Sequence, residues 1–211
     1  MPMNIYKTFD AKEIERINRI QRNFFSKLVH VFDPPLPEGV PERLKWIVFF
    51  AEISKGDTVL DVGSGTGILL PLIKIYNPGK IYACDLSEAM LDTLKAHYPY
   101  AETIVTDVRQ LRLQDKSINV VFVNACYPNL VDKKGVFTNI GRIIKTGGRL
   151  VISHPMGKEF IAFLKKKSPF PLDDFPQYSE AKTLLEPYGF DIEKFVDKPR
   201  LYILVAVMRY K

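Results

Sequence analysis

The sequence has few cysteines and no long apolar run. Cys84 and Cys126 are its only cysteines and form no Cys-x-x-Cys pair, which excludes a disulfide scaffold and favours a reducing, cytoplasmic setting. No apolar stretch approaches the roughly 20 residues of a membrane span, and the N-terminus has no apolar core behind its charge, so we expect no signal peptide. No set of His, Cys and Asp residues has metal-ligand spacing, and we expect no metal site.

Positive charge is present but is not concentrated in one region. The net charge is +6, with 30 Lys and Arg residues against 24 Asp and Glu in a chain of 211. Only residues 165–167 form a run of lysines. A nucleic-acid surface needs clustered charge, whereas a short run is usually a solvated helix end, so a nucleic-acid partner is not favoured.

The first 40 residues are predicted to form a helical cap. Asp10 and Glu13 have the spacing of a capping box. Apolar residues then recur at three- and four-residue steps, which predicts a helix of about six turns that ends at Asp33-Pro34-Pro35. Proline-rich residues 36–41 mark a boundary with a larger domain over residues 41–211. The helix either packs on that domain or covers its ligand, and both roles are compatible. The apolar stripe consists of Ile14, Ile17, Ile20, Phe24, Leu28 and Val31.

Residues 59–67 read Val-Leu-Asp-Val-Gly-Ser-Gly-Thr-Gly and predict a strand followed by a glycine turn. A helix with Pro71 in its first turn follows. Such a turn lets the backbone approach a ligand closely. The dinucleotide fingerprint Gly-x-Gly-x-x-Gly is not met because position 68 is Ile, and the phosphate-binding motif Gly-x-x-x-x-Gly-Lys-Ser/Thr is absent.

The rest of the chain alternates predicted strands and helices, which indicates an α/β fold with a parallel sheet and right-handed crossovers. Four residues separate the last two strands, too few for a crossover helix, so these strands are predicted to be antiparallel neighbours. The predicted strands cover residues 59–62, 80–84, 102–105, 118–123, 149–153, 191–196 and 201–208.

Together these motifs resemble the class I S-adenosylmethionine-dependent methyltransferases, whose first motif is a hydrophobic strand, an acidic residue and Gly-x-Gly-x-Gly. Residues 82–90 and 105–108 match the family's next two motifs, and residues 144–148 and 185–190 are similar to late motifs of its small-molecule members. The resemblance covers about residues 41–211. It implies a doubly wound, seven-stranded, mainly parallel Rossmann-like sheet closed by an antiparallel hairpin, with S-adenosylmethionine as cofactor and S-adenosylhomocysteine as product.

The glycine loop and the acidic residue before it are the first part of the predicted cofactor site. The backbone of Gly63, Ser64, Gly65 and Gly67 can lie against the methionine and sugar of the cofactor. Asp61 is predicted either to act on the cofactor ammonium through water or loop amides, or to pin the loop by accepting its N–H groups.

The ends of the second and third strands supply the nucleoside part of the predicted site. Asp85 follows the glycines by about twenty residues, a spacing that suits acceptance from a ribose diol, and the resemblance gives it the same role; its alternative is to cap the next helix. Leu86 would flank the adenine. In the family, the residue at Asp107 accepts from the adenine amino group and the backbone N–H at Val108 reaches the ring, although an Asp here is also an ordinary turn residue.

The acceptor side of the site is less defined by the sequence. Asn124 is predicted to contact the cofactor ammonium, and Tyr127 to line the substrate site, because acceptors meet the methyl group near this segment in the family. His154 follows the fifth strand and is either a general base or orienting group, or a structural residue. Aromatic and proline residues between 160 and 178 favour a small, apolar or aromatic acceptor over a polyanion.

Three functions follow from these observations. The favoured one is a methyltransferase that acts on a small molecule. The first alternative, suggested by the net charge, is a tRNA or rRNA methyltransferase, which requires a contiguous basic surface beside the cofactor cleft. The second is a module that binds the cofactor without catalysis, because a fold alone does not establish activity. The sequence does not indicate an oligomeric state.

Overall fold

A computed structural model describes residues 9–209. The signal-peptide prediction concerns residues outside this range. The strands are β1 (Thr58–Val62), β2 (Lys80–Asp85), β3 (Glu102–Val105), β4 (Ile118–Asn124), β5 (Ile144–His154), β6 (Phe190–Lys198) and β7 (Leu201–Met208). The α-helices are α1 (Ala11–Ser26), α2 (Val29–Phe32), α3 (Val40–Phe49), α4 (Leu70–Lys74), α5 (Glu88–His97), α6 (Lys133–Ile143), α7 (Gly157–Lys165) and α8 (Tyr178–Leu185).

The seven strands form one sheet in the order β3-β2-β1-β4-β5-β7-β6. β1 to β5 are mutually parallel, and β7 runs antiparallel to both β5 and β6. The prediction of a doubly wound, mainly parallel sheet with a closing antiparallel hairpin is therefore confirmed. The strand order reverses between β1 and β4, and ligands of open α/β sheets bind at the carboxyl edge beside such a reversal.

The central strands are apolar because helices cover both faces of the sheet. Alternate residues of β1 enter different cores: Leu60 and Val62 pack with α6 and α8, whereas Val59 packs with α3, α4 and α5. These two cores fix the strand ends that carry the polar residues of the carboxyl edge. None of the helices within residues 9–209 has the length and apolarity needed to cross a membrane.

The N-terminal helix is shorter than predicted. α1 ends at Ser26 and a separate turn, α2, follows, so the six-turn helix is wrong in length. Asp10 accepts from the backbone N–H of Glu13 at 2.8 Å, but the Glu13 side chain pairs with Arg16 instead of returning to Asp10. The capping box is therefore only half formed. Val31, the last residue of the predicted stripe, is 59% exposed because it lies beyond the break.

The other differences concern element boundaries. α3 begins at Val40, within the proline-rich boundary predicted over residues 36–41. β5 begins at Ile144, five residues before the predicted start of the strand at residue 149, so Thr146-Gly147-Gly148 lies within the strand. A register shift between Ile118 and Val120 of β4 accommodates the added residues. Neither difference moves the carboxyl ends of the strands.

Candidate functional site

A cavity of about 160 Å³ lies at the carboxyl edge of the sheet, above the ends of β1, β2, β3 and β4. It is roofed by residues of α1 and α2, including Phe25 and Phe32. Nine residues of the predicted site line it together: Asp61, Gly63, Ser64, Gly65, Asp85, Leu86, Asp107, Val108 and Asn124. Gly67, Tyr127 and His154 are not part of this lining.

The glycine loop is held against the end of β2 by its own backbone. The N–H groups of Gly63 and Ser64 both donate to the carbonyl oxygen of Cys84, at 2.8 and 3.2 Å. Gly65 has a φ of +54°, and a Cβ there would meet only the Met90 sulfur, 4.0 Å away. A side chain at Gly65 would thus project into the cavity, whereas a Cβ at Gly63 would overlap the side chain of Cys126. Gly65 is therefore the glycine that keeps the cavity open.

Asp85 ends β2 and faces the glycine loop across the cavity floor. Its Oδ2 accepts from the Gly65 N–H at 3.0 Å and its Oδ1 from the Ser87 N–H at 2.9 Å. A carboxylate has about four lone-pair sites, so each oxygen keeps one for a ligand. Burial raises the pKa of Asp85 above its ordinary value, while backbone N–H groups, that of Ser87 first, oppose the rise. Ser87 itself caps α5 through its hydroxyl, so Asp85 is not needed as the cap.

Asp61 is the most unusual group of the site. It is only 2% exposed, and no hydrogen-bond donor among residues 9–209 reaches its carboxylate. Its predicted alternative role, accepting N–H bonds from the loop, is therefore not what the structure shows. Burial, with a smaller contribution from the charge of Asp85, raises the pKa of Asp61 from 3.8 to about 8. A buried carboxylate without a partner favours a cationic ligand in the cavity.

Asp107 follows β3 and is occupied by protein donors. Its Oδ2 accepts from Asn18 Nδ2 at 2.7 Å and from two nitrogens of the Arg109 guanidinium at 2.9 and 2.6 Å. Its Oδ1 accepts from the Arg109 backbone N–H at 2.9 Å. Three of these donors share Oδ2, whereas Oδ1 accepts one, so Oδ1 keeps a lone-pair site for the predicted bond from an adenine amino group.

Asn124 ends β4, and a residue of the neighbouring strand β5 fixes its side chain. The Ser153 hydroxyl of β5 donates to Asn124 Oδ1 at 3.0 Å, which leaves the Asn124 amide N–H groups for the cavity. The next residue, Ala125, has a φ of +53°, a conformation that costs a residue with a Cβ about 1–2 kcal/mol. Strained backbone of this kind is common at ligand sites.

Tyr127 and His154 point into the core, away from the cavity. Tyr127 is fully buried and stacks on Phe175 at 5.4 Å between ring centroids. His154 also contacts Phe175, and its Nδ1 accepts from the Met156 N–H at 3.0 Å. Burial lowers the pKa of His154 to about 4. A neutral imidazole whose lone pair is already bonded is poorly suited to the predicted role of general base.

The aromatic segment after α7 explains this placement. Buried Lys133 donates to the Leu130 carbonyl oxygen at 2.9 Å and forms an ion pair with Asp173. The Asp173 N–H donates to the carbonyl oxygen of Pro128 at 3.0 Å. These bonds hold the segment against the loop after β4, so that Phe175 fills the space beside His154.

The N-terminal helices contact the loops after all four strands that border the cavity. Thr66 donates to the Phe32 carbonyl oxygen, Arg22 to the Leu86 carbonyl oxygen, and Gln21 to the Asn129 carbonyl oxygen, at 3.1, 3.1 and 2.8 Å. Asn18 completes the set through Asp107. The apolar stripe does not predict these polar contacts. The only indication of them in the sequence is that Asn18 and Gln21 occupy helix positions between residues of the stripe.

The cavity matches the chemistry of S-adenosylmethionine. Asp61 and Asp85 keep lone pairs for cationic and hydroxyl donors, and Gly65 leaves room where a Cβ would intrude. The two arginines of the lining do not neutralise these carboxylates, since Arg22 donates to Leu86 and Arg109 binds Asp107.

A family model described as a methyltransferase domain matches residues 60–152, from β1 into β5. An uncharacterised methyltransferase of Schizosaccharomyces pombe is 26% identical over 166 residues, which cover 75% of this chain and 64% of that protein. The match thus spans less than two thirds of the relative.

Solved structures share the whole fold. A methyltransferase of Haloferax volcanii, in complex with the Trm112 methyltransferase activator, aligns with a TM-score of 0.73 at 15% identity, covering 94% of this chain and 98% of that one. A SAM-dependent methyltransferase of Aquifex aeolicus aligns with a TM-score of 0.67 at 20% identity, covering 95% and 100%. The matched domain, the relatives and the shared fold support a class I S-adenosylmethionine-dependent methyltransferase.

Proposed function

We propose that this chain transfers the methyl group of S-adenosylmethionine to a small, apolar or aromatic acceptor. The observation that carries the proposal is the pair of carboxylates in the cavity. Asp61 is buried without a partner, and Asp85 retains two lone-pair sites beside the glycine loop. A cofactor with an ammonium, a sulfonium and a ribose diol supplies the groups that both carboxylates need.

Six of the lining residues are assigned a part in holding the cofactor. Asp85 accepts from the ribose diol, and Asp61 balances the positive charge of the methionine portion. Gly65 lets the backbone lie against the ligand, and the Asn124 amide, oriented by Ser153, donates to the methionine carboxylate or another acceptor on the ligand. Leu86 and Val108 supply apolar contacts for the base.

S-Adenosylmethionine, when bound, supplies a methyl group already activated by the sulfonium. The protein therefore has to orient the two reactants and exclude water, and these effects provide most of the rate. The roof formed by Phe25 and Phe32 serves the second purpose. No base is assigned to the chain, because His154 is neutral and already bonded, and acceptors that attack without losing a proton need none.

The character of the remaining cavity wall supports a small, apolar acceptor. Beside Asn124 the lining continues through Leu130, Val131 and Val136. Arg22 and Arg109, the basic residues of the lining, are engaged by protein oxygens and so offer little attraction to a polyanion. A tRNA or rRNA acceptor is therefore the weaker alternative. A module that binds the cofactor without catalysis is also weaker, because the matching family model and relative are methyltransferases.

The acceptor class can be tested without knowing the acceptor. The protein is incubated with S-adenosylmethionine labelled in its methyl group and an extract of its source cells, which is then separated into solvent-soluble, RNA and protein fractions. We expect enzyme-dependent label in the solvent-soluble fraction, and none with Asp85→Ala. Label in RNA supports the nucleic-acid alternative, and cofactor binding with no labelled product supports the non-catalytic one.

A further inference from the structure

The roof of the cavity is aromatic. Phe25 of α1 and Phe32 of α2 are the two aromatic residues of its lining within residues 9–209. Their ring centroids are 5.9 Å apart, and their planes are inclined at 61°. The opposite side of the cavity holds the carboxylates of Asp61 and Asp85, so a cation in the cavity lies between rings and carboxylates.

Contacts with neighbouring residues hold both rings in place. The ring of Phe25 packs against those of Phe24 and Phe170, at 5.4 and 5.8 Å between centroids. The carbonyl oxygen of Phe32 accepts from the Thr66 hydroxyl at 3.1 Å. The roof is therefore built from packed rings that are tethered to the glycine loop.

Two hydrogen bonds of the roof indicate which part of the ligand lies beneath it. Thr66 belongs to the glycine loop, so its bond places Phe32 beside the methionine end of the predicted site. Ser26 follows Phe25, and its hydroxyl lies 2.8 Å from that of Ser87 at the ribose end. The two rings therefore cover the stretch between the methionine and ribose positions. The atom of S-adenosylmethionine that joins these two parts is its sulfur.

We infer that Phe25 and Phe32 bind the sulfonium of S-adenosylmethionine through the negative charge of their π systems. An aromatic ring attracts a cation within about 6 Å of its centroid, and the attraction grows as water is excluded. The thioether of S-adenosylhomocysteine carries no charge and receives no such attraction. The two rings therefore raise the affinity for the methyl donor relative to that for its product. The inference rests on the proposed binding of S-adenosylmethionine.

Calorimetric titration with three ligands tests the inference. They are S-adenosylmethionine, S-adenosylhomocysteine and sinefungin, in which a protonated amine on carbon replaces the methylated sulfur. The variant Phe25→Leu/Phe32→Leu keeps an apolar roof but removes both rings. Its affinities for the two cationic ligands should fall at least about threefold relative to its affinity for S-adenosylhomocysteine. Phe24→Leu, at a ring of the same helix that lies outside the lining, is the matched control and should keep the wild-type ratios.

A change of less than about threefold for both cationic ligands overturns the inference and leaves the rings as a cover that only excludes water. A change for only one of the two cationic ligands overturns it as well, because the effect then does not follow the charge. If wild type binds none of the three ligands, the proposed function itself fails. Circular dichroism verifies that the double variant is folded. If it is not, Phe32→Leu, at a residue that is 39% exposed, replaces it with an expected change of at least about twofold.

Discussion

Replacing Asp61 by Asn removes one buried ionisable carboxyl group with almost no change of shape. The Asp61 carboxylate has no protein donor within the described residues, and its pKa lies at about 8 against an ordinary 3.8. Folded protein free of ligand therefore keeps a proton that the unfolded chain releases above about pH 4. The native state of the wild type carries this penalty, and that of the Asp61→Asn variant does not.

The sign and size of the effect follow from linkage. Between pH 3.8 and about 8 the folded state binds more protons at Asp61 than the unfolded state does, so wild-type stability falls as pH rises through this window and changes no further above it. At about 1.36 kcal/mol per pKa unit, the interval from about pH 5 to pH 8 corresponds to at most about 4 kcal/mol. We expect Asp61→Asn to gain about 2–4 kcal/mol on the wild type across that interval.

Urea unfolding followed by circular dichroism at pH 5, 6, 7 and 8 measures this difference. Asp92→Asn, which removes one charge from an exposed position of α5, is the control and should run parallel to the wild type. The same Asp61→Asn protein should bind S-adenosylmethionine more weakly, because the cation loses its counter-charge. If the free energies of unfolding of Asp61→Asn and wild type stay parallel from pH 5 to pH 8, Asp61 is not the buried, unpartnered acid described above.

Further substitutions test the other parts of the site. Gly65→Ala should weaken S-adenosylhomocysteine binding at least about tenfold, because the added Cβ enters the cavity. The control Gly56→Ala, at a φ of +88° with nothing within 4 Å of the added Cβ, should leave the calorimetric affinity unchanged, although each substitution costs about 1–2 kcal/mol of stability. Equal affinity losses in the two variants would refute this placement of Gly65. Ala125→Gly should cost less in urea unfolding than the about 0.5–1 kcal/mol of an ordinary Ala-to-Gly change, because it relieves the strained φ; a larger loss would show that no strain is stored there. His154→Gln should keep the affinity for S-adenosylhomocysteine within about twofold, as the ring faces the core, and a tenfold loss would mean that His154 reaches the ligand.

The sequence predicts those parts of the site that depend on local order along the chain. The glycine loop and Asp85 are set by a strand, a turn and the next strand, and the parallel sheet brings their ends together at one edge. Likewise, the apolar character of β4 predicts a buried central strand and the short link between β6 and β7 predicts an antiparallel pair, and both predictions need only the local sequence.

What the sequence does not reveal depends on contacts between distant residues. Asp107 matches a base-binding motif, but its bond from Asn18 to Oδ2 spans 89 residues of the chain and no local motif indicates it. Tyr127 and His154 follow the correct strands, but Phe175 packs against both rings and turns them into the core. An apolar periodicity describes how α1 packs and is silent about its polar contacts with the loops.

Calorimetric titration of S-adenosylhomocysteine into the wild type and into Asp85→Ala tests the central claim most directly, because Asp85 joins the glycine loop to the ribose end of the cavity. The account predicts saturable, one-to-one binding by the wild type and at least a tenfold loss for Asp85→Ala, since a hydrogen bond between a hydroxyl and a charged group contributes about 1.5–3 kcal/mol. Equal affinity of the two proteins would contradict the role of Asp85, and a folded wild type that binds neither S-adenosylhomocysteine nor S-adenosylmethionine would contradict the assignment of the cavity.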